Sequence, residues 1–384
     1  MIISRLQTIL ATTVLSGLLL TSLSSVAKIE VKFGPEFTFF NPSLTKNNEG
    51  LGLALKNYKD HLIVHLVNNQ PKKAKFDFNA IGDLFTSPNG WYFHPTLDMG
   101  VIEVTTKPMT VADWEKYASD IQDAIFVSAY NNGLYPGLYI GGGHINIGLE
   151  PFYKNPILLR NFIVDFWNHN ELSLGIMNYD TNNAAPLSML KDSSIKDISL
   201  WLERFDAILL GSRRNLTRSR ILEHLAELSN IIYYSKSWMG RAWRSQSEIY
   251  KYIDLNFGNA NQNRIELRSV RAQQNISTWI NQIKLIQGRI DYLESLGTEL
   301  IPLRFKLTVQ QPTNRKQQND FKLNPPVPAQ EALKLFYTYV TESGQSWRDH
   351  RDYIWPQWIR NGSLRRFENS KWFLAQQKSC GALL

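Results

Sequence analysis

Hydrophobic and polar residues alternate along several short stretches of the first 150 residues, which is typical of β-strands with one buried face. The residues Asp98-Met99-Gly100 lie between two of these stretches, where a hairpin would turn. One further strand, 264–270, is predicted in the second half of the chain. The amino-terminal part is therefore predicted to consist of strands and hairpins. The stretches that we interpret as strands are 29–40, 61–67, 91–93, 101–105, 137–149 and 264–270.

Other parts of the chain repeat their apolar residues with the helical period. One helix is predicted to begin at Thr110, with Asp113 three residues later as in a capping box, and to end at Asn132-Gly133. Asn155-Pro156 marks the start of a second helix, because proline is tolerated in a first turn. We interpret residues 173–194 as a loop that could act as a flap. Further helices are predicted over 195–210, 217–234, 276–296 and 329–341.

The first 27 residues have the features of a secretory signal peptide. Arg5 supplies a positive charge, an apolar run follows over 9–23, and Ser25-Val26-Ala27 supplies small residues before a cleavage position. We therefore expect export to the periplasm or the cell exterior, with an uncleaved membrane anchor as the alternative. The single cysteine, Cys380, excludes an intramolecular disulfide.

Composition divides the rest of the chain into three parts. Residues 28–307 are expected to form an α+β domain, and a content of 43% hydrophobic residues is sufficient for a large core. Residues 308–330 are rich in Gln, Asn, Pro and Lys, which favours a linker. Residues 331–384 are expected to form a helical extension rich in aromatic and basic residues, which packs its aromatic side chains against the main domain.

Charge is distributed unevenly along the chain. The first 150 residues hold 11 basic and 13 acidic residues, so the net charge of +8 comes from the remainder. A basic carboxyl-terminal region can attract phosphates, an anionic polymer or an anionic membrane surface. Charge alone does not choose between these partners, and we expect no specific nucleic acid among them.

Four ionisable residues lie inside predicted strands: Glu36, Glu103, His144 and Glu266. Such residues share one face of a sheet when side chains alternate with period two, and buried charge is costly unless it is paired or bound to a metal. The series therefore predicts a metal or phosphate site on a sheet. The glycines 141–143 precede His144, but no helix and no Lys-Ser/Thr pair follows them, so we attribute them to close backbone packing.

These residues occur in an order that resembles the amidoligase family, which is related to the carboxylate–amine ligases glutamate–cysteine ligase and glutamine synthetase. That family has a Gly-x-Glu-x-Glu strand, an Asp…Gly…Glu hairpin ending in Thr/Ser-x-Pro, a Gly-Gly-His-x-His strand, and then Tyr-x-x-x-Asn and Arg-x-Glu-x-Arg. The resemblance covers roughly residues 30–275. The matching pieces are Gly34-Pro-Glu36-Phe-Thr38, Asp98…Gly100…Glu103 with Thr106-Lys-Pro108, Gly142-Gly-His144-Ile-Asn146, Tyr252-Ile-Asp-Leu-Asn256 and Arg264-Ile-Glu266-Leu-Arg268.

The resemblance implies an α+β fold with a glutamine-synthetase-like curved antiparallel sheet, a helical insert and a carboxyl-terminal helical extension. It also implies ATP and Mg²⁺ as cofactors, and a small-molecule or peptide substrate whose carboxylate is joined to an amine through an acyl phosphate. In that scheme Arg268 and Arg264 stabilise the transferred phosphoryl group, because planar guanidinium groups bind phosphate well. The residues that would hold Mg²⁺ are Glu36, Glu103, His144 and Glu266.

Two positions depart from the family pattern. Thr38 stands where the opening strand has its second Glu, and Asn146 stands where the later strand has its second His. Both side chains can still hydrogen-bond a metal-bound water or contact the cofactor, but neither brings a charge. One alternative is therefore an exported relative that has lost catalysis and binds a ligand or partner without turnover. Another is a metal-dependent hydrolase, although no helix is predicted to carry two closely spaced histidines.

Overall fold

The structure is a computed structural model that describes most of the chain after residue 27. Residues 31–384 form one compact unit, and residues 1–30 form another, of which only 28–30 are described. Several predictions fall on the remaining residues, among them the signal peptide, most of the linker, Tyr252 and Cys380. The described ranges are 28–44, 48–67, 79–81, 84–98, 100–136, 142–173, 184, 186–211, 216–234, 253–307, 327–354 and 356–379.

The fold is a mixture of helices and one antiparallel sheet. Its described strands follow the order β2-β3-β4-β5-β1-β7-β9-β8, and β6 also pairs with β1. The central strand β1 lies between β5 and β7, both antiparallel to it. The strands are β1 (Phe33–Phe40), β2 (Asn79–Ile81), β3 (Leu84–Thr86), β4 (Tyr92–Asp98), β5 (Val101–Thr106), β6 (Tyr135–Pro136), β7 (His144–Gly148), β8 (Leu255–Asn256) and β9 (Arg264–Leu267).

The predicted hairpin is confirmed by β4 and β5, and Gly100 has a φ of 82° at its turn, a value that glycine adopts without strain. Both β1 and β7 are shorter than predicted. The prediction of a strand over 61–67 is wrong, because these residues belong to the helix α1 (Asn48–Val67). His61 and His65 therefore lie four residues apart on one helix, where no such pair of histidines was predicted. Apolar residues recur at helical spacing before this run begins. That periodicity outweighs the preference of the β-branched residues in the run for a strand. The buried residues that show this spacing are Leu51, Ala54, Leu55 and Tyr58.

The two faces of the sheet differ in polarity. One face carries apolar side chains from the central strands, and they are almost completely buried. The other face carries the residues that alternate with these, because neighbouring side chains on a strand point to opposite sides. The core face includes Phe37, Val104, Ile145 and Ile265, and the polar face includes Glu36, Glu103, His144 and Glu266.

Helices cover the apolar face. The segment predicted as one helix from Thr110 is α2 (Val111–Lys116), α3 (Ala118–Ile121), a π-helical turn (Gln122–Val127) and α4 (Ser128–Asn131). The Thr110 cap is confirmed, since its hydroxyl accepts a hydrogen bond from the Asp113 amide at 3.2 Å. The ring of Phe37 makes edge contacts with Trp114, Phe126 and Trp279, and these contacts fix α2, the π-helical turn and the helix α8 (Ile276–Ser295) against the sheet.

A helical region separates β7 from β8. It contains α5 (Pro156–Asn168), capped by Asn155 as predicted, then α6 (Asp192–Gly211) and α7 (Arg218–Tyr234). Part of the predicted flap is instead core, because Leu187 and Met189 form a turn of 3₁₀ helix and are fully buried. Apolar side chains there gain more from burial than from exposure to solvent.

The first two of the carboxyl-terminal helices pack onto α8, and the fourth packs onto the first. They are α9 (Ala329–Glu342), α10 (Trp347–His350), α11 (Pro356–Arg360), α12 (Ser363–Glu368) and α13 (Lys371–Ser379). Trp347 and Trp358 are buried, as expected for aromatic residues that face inward. Arg289 joins α8 to α5 and α9, since its guanidinium donates to both Asp165 oxygens at 2.8 and 2.6 Å and to Glu342 at 2.7 Å. No helix within the described residues combines the length and the apolar character needed to cross a bilayer.

Candidate metal centre on the polar face of the sheet

Three of the predicted residues meet on the polar face and form what we call the carboxylate–imidazole cluster: Glu36, His144 and Glu266. The strand register brings them together. Glu36 pairs with His144 across β1 and β7, and Asn146, two residues after His144 on the same face of β7, pairs with Glu266. The His144 Nδ1 atom lies 2.8 Å from Glu36 Oε2 and 3.0 Å from Glu266 Oε1. One potential ligand atom from each residue lies within 4.8 Å of the others.

Protein donors reach every oxygen of the two carboxylates. Asn146 Nδ2 donates to Glu36 Oε1 at 3.2 Å, and Asn256 Nδ2 donates to Glu266 Oε2 at 2.9 Å. Arg268 Nη1 donates to Glu266 Oε1 at 2.6 Å, and His144 contacts the remaining oxygen of Glu36. Two carboxylates, one guanidinium and a protonated imidazole have charges that cancel, so the cluster is balanced without an added ion.

Burial and pairing act against each other on the pKa of each group. Burial alone would lower the pKa of His144, but hydrogen bonds to Glu266 and Glu36 outweigh it and raise that pKa to about 9. Burial alone would raise the pKa of Glu266, but His144 and Arg268 outweigh it and hold that pKa at about 2. The pKa of Glu36 is lowered for the same reason, chiefly by His144. At neutral pH the cluster therefore holds two carboxylates around an imidazolium.

Gly142 and Gly143 before His144 are explained by close packing, as predicted, and Gly141 lies outside the described residues. A Cβ atom on Gly142 would lie 2.5 Å from His144 Nε2, and one on Gly143 would lie 2.3 Å from the carbonyl oxygen of Arg271. Neither position accepts a side chain without displacing the imidazole or the neighbouring backbone. Gly142 therefore forms a cradle for the ring, and Gly143 leaves room for the backbone of Arg271.

The other predicted site residues take different places. Glu103 pairs with Thr38 across β5 and β1 and lies outside the carboxylate–imidazole cluster. Burial, with repulsion from Glu36 and Asp98, raises the pKa of Glu103 to about 7. The Thr38 hydroxyl donates to the carbonyl oxygen of Gly142 at 3.1 Å. Arg264 lies at the start of β9, opposite Gly148. Only Arg268 of the two arginines contacts the cluster in the described part of the chain.

A divalent cation fits the chemistry of these side chains. Asn146 is 5% exposed, and its Oδ1 atom has no hydrogen-bond donor within the described structure. A buried amide oxygen without a donor is costly, and a cation would satisfy it. Glu36, Glu266 and Asn146 offer the oxygen ligands that Mg²⁺ prefers, and His144 offers a nitrogen once it gives up the proton that it holds in the metal-free cluster.

Asn256 has a role that the sequence pattern does not reveal. This residue ends the Tyr-x-x-x-Asn motif and lies ten residues before Glu266, but nothing in the sequence shows that the two strands are adjacent. In the structure Asn256 pairs with Glu266 across β8 and β9 and orients its carboxylate. In many metal sites, a residue that hydrogen-bonds a metal ligand in this way holds the ligand in the correct orientation.

Comparisons with known proteins give little further information. No family model matches the chain, and no curated protein matches its sequence. Among solved structures, apo GmaS without ligand is similar at 10% identity with a TM-score of 0.38, over 90% of this chain and 71% of that chain. A likeness this weak carries no conclusion about function, and the resemblance to the amidoligase family stays a prediction.

Proposed function

We propose that this protein is an ATP- and Mg²⁺-dependent ligase that joins a carboxylate to an amine. The observation that carries the proposal is the carboxylate–imidazole cluster, with the donor-free Asn146 oxygen beside it, on the polar face of an antiparallel sheet. The order of motifs along the sequence supports the same class of reaction. In this proposal the fold is a distant variant of the glutamine synthetase type.

The proposed roles follow from the donors that each side chain offers. Glu36, Glu266, Asn146 and a deprotonated His144 would hold the cation, which when bound neutralises charge on the phosphates. Arg268 would direct guanidinium N–H groups at the transferred phosphoryl oxygens while it remains paired with Glu266. Asn256 keeps the Glu266 carboxylate in one orientation.

The reaction would proceed in two transfers. An oxygen of the substrate carboxylate attacks the γ-phosphorus of ATP, the bond to the β-γ bridging oxygen breaks, and ADP leaves. The amine nitrogen then attacks the carbonyl carbon of the acyl phosphate, inorganic phosphate leaves, and the nitrogen loses a proton. Amino acids, peptides and protein side chains carry suitable carboxylates and amines.

A binding protein without turnover is the second candidate. It is favoured by the fact that each oxygen of Glu36 and Glu266 already accepts a hydrogen bond from a protein donor. A cation would have to compete with His144 and Arg268 for these carboxylates. The two candidates differ in whether ATP binds and whether it is consumed.

Isothermal titration of ATP into the purified protein, with and without Mg²⁺, tests the proposal. We expect binding that requires Mg²⁺ and is lost in Glu266→Gln, because glutamine keeps the size of the side chain but removes its charge. Glu203→Gln, an exposed change on α6, is the control and should bind as the wild type does. Absence of ATP binding at millimolar concentration would refute the ligase and favour the binding protein.

Turnover is tested separately with hydroxylamine as the amine. Hydroxylamine captures an acyl phosphate as a hydroxamate, which is detected by its coloured iron complex, while ADP release is followed in parallel. A panel of amino acids and peptides supplies the carboxylate. Binding of ATP without ADP release or hydroxamate on any of these substrates would support the second candidate.

Export is a further proposal, based on the composition of residues 1–27. Its test is the amino-terminal sequence of the protein isolated from the producing cell. A mature chain that begins at Lys28 would support cleavage, and a chain that retains Arg5 would contradict it.

A further inference from the structure

The hydroxyl group of Thr38 is buried at the edge of the carboxylate–imidazole cluster. Thr38 is 2% exposed and lies two residues after Glu36 on the polar face of β1. Its Oγ1 atom donates a hydrogen bond of 3.1 Å to the carbonyl oxygen of Gly142, which is 104 residues away in the sequence. The hydroxyl therefore uses its only proton in a hydrogen bond to the backbone just before β7.

Gly142 in turn determines where the imidazole of His144 can lie. A Cβ atom added to Gly142 would be 2.5 Å from His144 Nε2 and 2.8 Å from Cδ2, so the ring rests directly against this residue. The adjacent Gly143 is held from the other side, because its amide donates to the carbonyl of Val270 at 2.9 Å. A shift of the Gly142 peptide would therefore shift the ring.

We propose that Thr38 is a positioning residue that holds the His144 imidazole between Glu36 and Glu266 by fixing the carbonyl of Gly142. A hydroxyl suits this position because the carbonyl needs a donor. A carboxylate would instead bring two acceptors together, with no proton between them. The inference rests on the proposed function where it concerns cation affinity, but the position of the ring does not depend on a bound ion.

The test compares Thr38→Val, which keeps the shape and removes the hydroxyl, with Thr38→Ser, which keeps the hydroxyl. Thr106→Val is the matched control, since Thr106 is also buried but lies on the opposite face of the neighbouring strand β5. Thr38→Ala serves if the valine variant does not fold. In metal-free protein, the ring nitrogens of His144 are observed by ¹⁵N NMR and identified by their loss in His144→Gln. Cation affinity is then measured by titration with Co²⁺ and its visible absorption.

We expect Thr38→Val to change the ¹⁵N shifts of His144 and to weaken Co²⁺ binding by about tenfold, the usual effect of removing a partner behind a metal ligand. Thr38→Ser should restore both, and Thr106→Val should change neither. Weaker Co²⁺ binding with unchanged His144 shifts would overturn the inference, because Thr38 would then act as a ligand. Unchanged shifts with unchanged affinity would also overturn it.

The same measurements distinguish failure of the proposed metal centre from failure of the positioning role of Thr38. If Co²⁺ does not bind even the wild type, but Thr38→Val still alters the His144 shifts and Thr38→Ser restores them, the positioning role stands and the metal centre does not. Saturation of the wild type by Co²⁺ together with unchanged His144 shifts in Thr38→Val supports the metal centre and refutes the positioning role.

Discussion

The imidazolium of His144 should make the stability of the metal-free protein depend on pH. Its pKa is raised to about 9 in the folded protein by Glu266 and Glu36, against 6.5 in the unfolded chain. A group whose folded pKa is the higher one stabilises the fold fully below its unfolded pKa and loses that effect as pH rises through its folded pKa. Stability should therefore fall between about pH 6.5 and 9 when no cation is present.

The size of the effect follows from the burial of the three side chains. Those of His144, Glu36 and Glu266 are 12%, 17% and 4% exposed, so solvent screens their interaction only weakly. One pKa unit corresponds to about 1.4 kcal/mol, and the shift of His144 therefore corresponds to about 3 kcal/mol of unfolding free energy over the whole window. Glu103 and Asp254 have pKa values raised by burial to about 7, so stability also falls as these two groups ionise, and most of that loss occurs below pH 7.

The assay is urea unfolding followed by tryptophan fluorescence, in the presence of a chelator, at several pH values between about 7 and 9. The wild type should lose stability across this range. His144→Gln should be less stable at pH 7 and nearly independent of pH above it. A flat wild-type profile would refute the reasoning, and so would parallel profiles for the two proteins, because the slope would then belong to other groups.

Three further predictions concern packing and the backbone. Arg289→Met should lower the free energy of unfolding by about 3–5 kcal/mol in urea, because it leaves the buried Asp165 carboxylate without its partner. In the same assay Arg204→Met should cost less than about 1 kcal/mol, since its salt bridge is exposed, and equal losses would contradict this account. Gly142→Ala should alter the His144 ¹⁵N shifts by displacing the ring, and an unchanged spectrum would show that the cradle has room. Gly52→Ala should raise the free energy of unfolding by about 0.5–1 kcal/mol, because its helical position is open and alanine is the better helix former; a loss of stability would refute this.

Local signals in the sequence located most of the elements. Thr110 and Asn155 were identified as helix caps because a cap depends on a few adjacent residues, and both side chains accept the expected backbone hydrogen bonds. The alternation around Glu36 and Glu266 also placed these residues on one face of a sheet. The run 61–67 was assigned incorrectly because a short apolar stretch fits a strand and a helix equally well, and only the preceding turns of α1 distinguish them.

The sequence by itself thus determined the residue types of the candidate site and the faces on which they lie, since both follow from local alternation and spacing. Tertiary structure alone decided which of them meet. The pairing of β7 with both β1 and β9 places His144 between two glutamates, one of them 108 residues away, and leaves Glu103 outside the cluster. The same pairing of β1 with β7 brings the Thr38 hydroxyl within hydrogen-bond distance of the Gly142 carbonyl oxygen. Strand order and register depend on the packing of the whole core, and no local pattern contains that information.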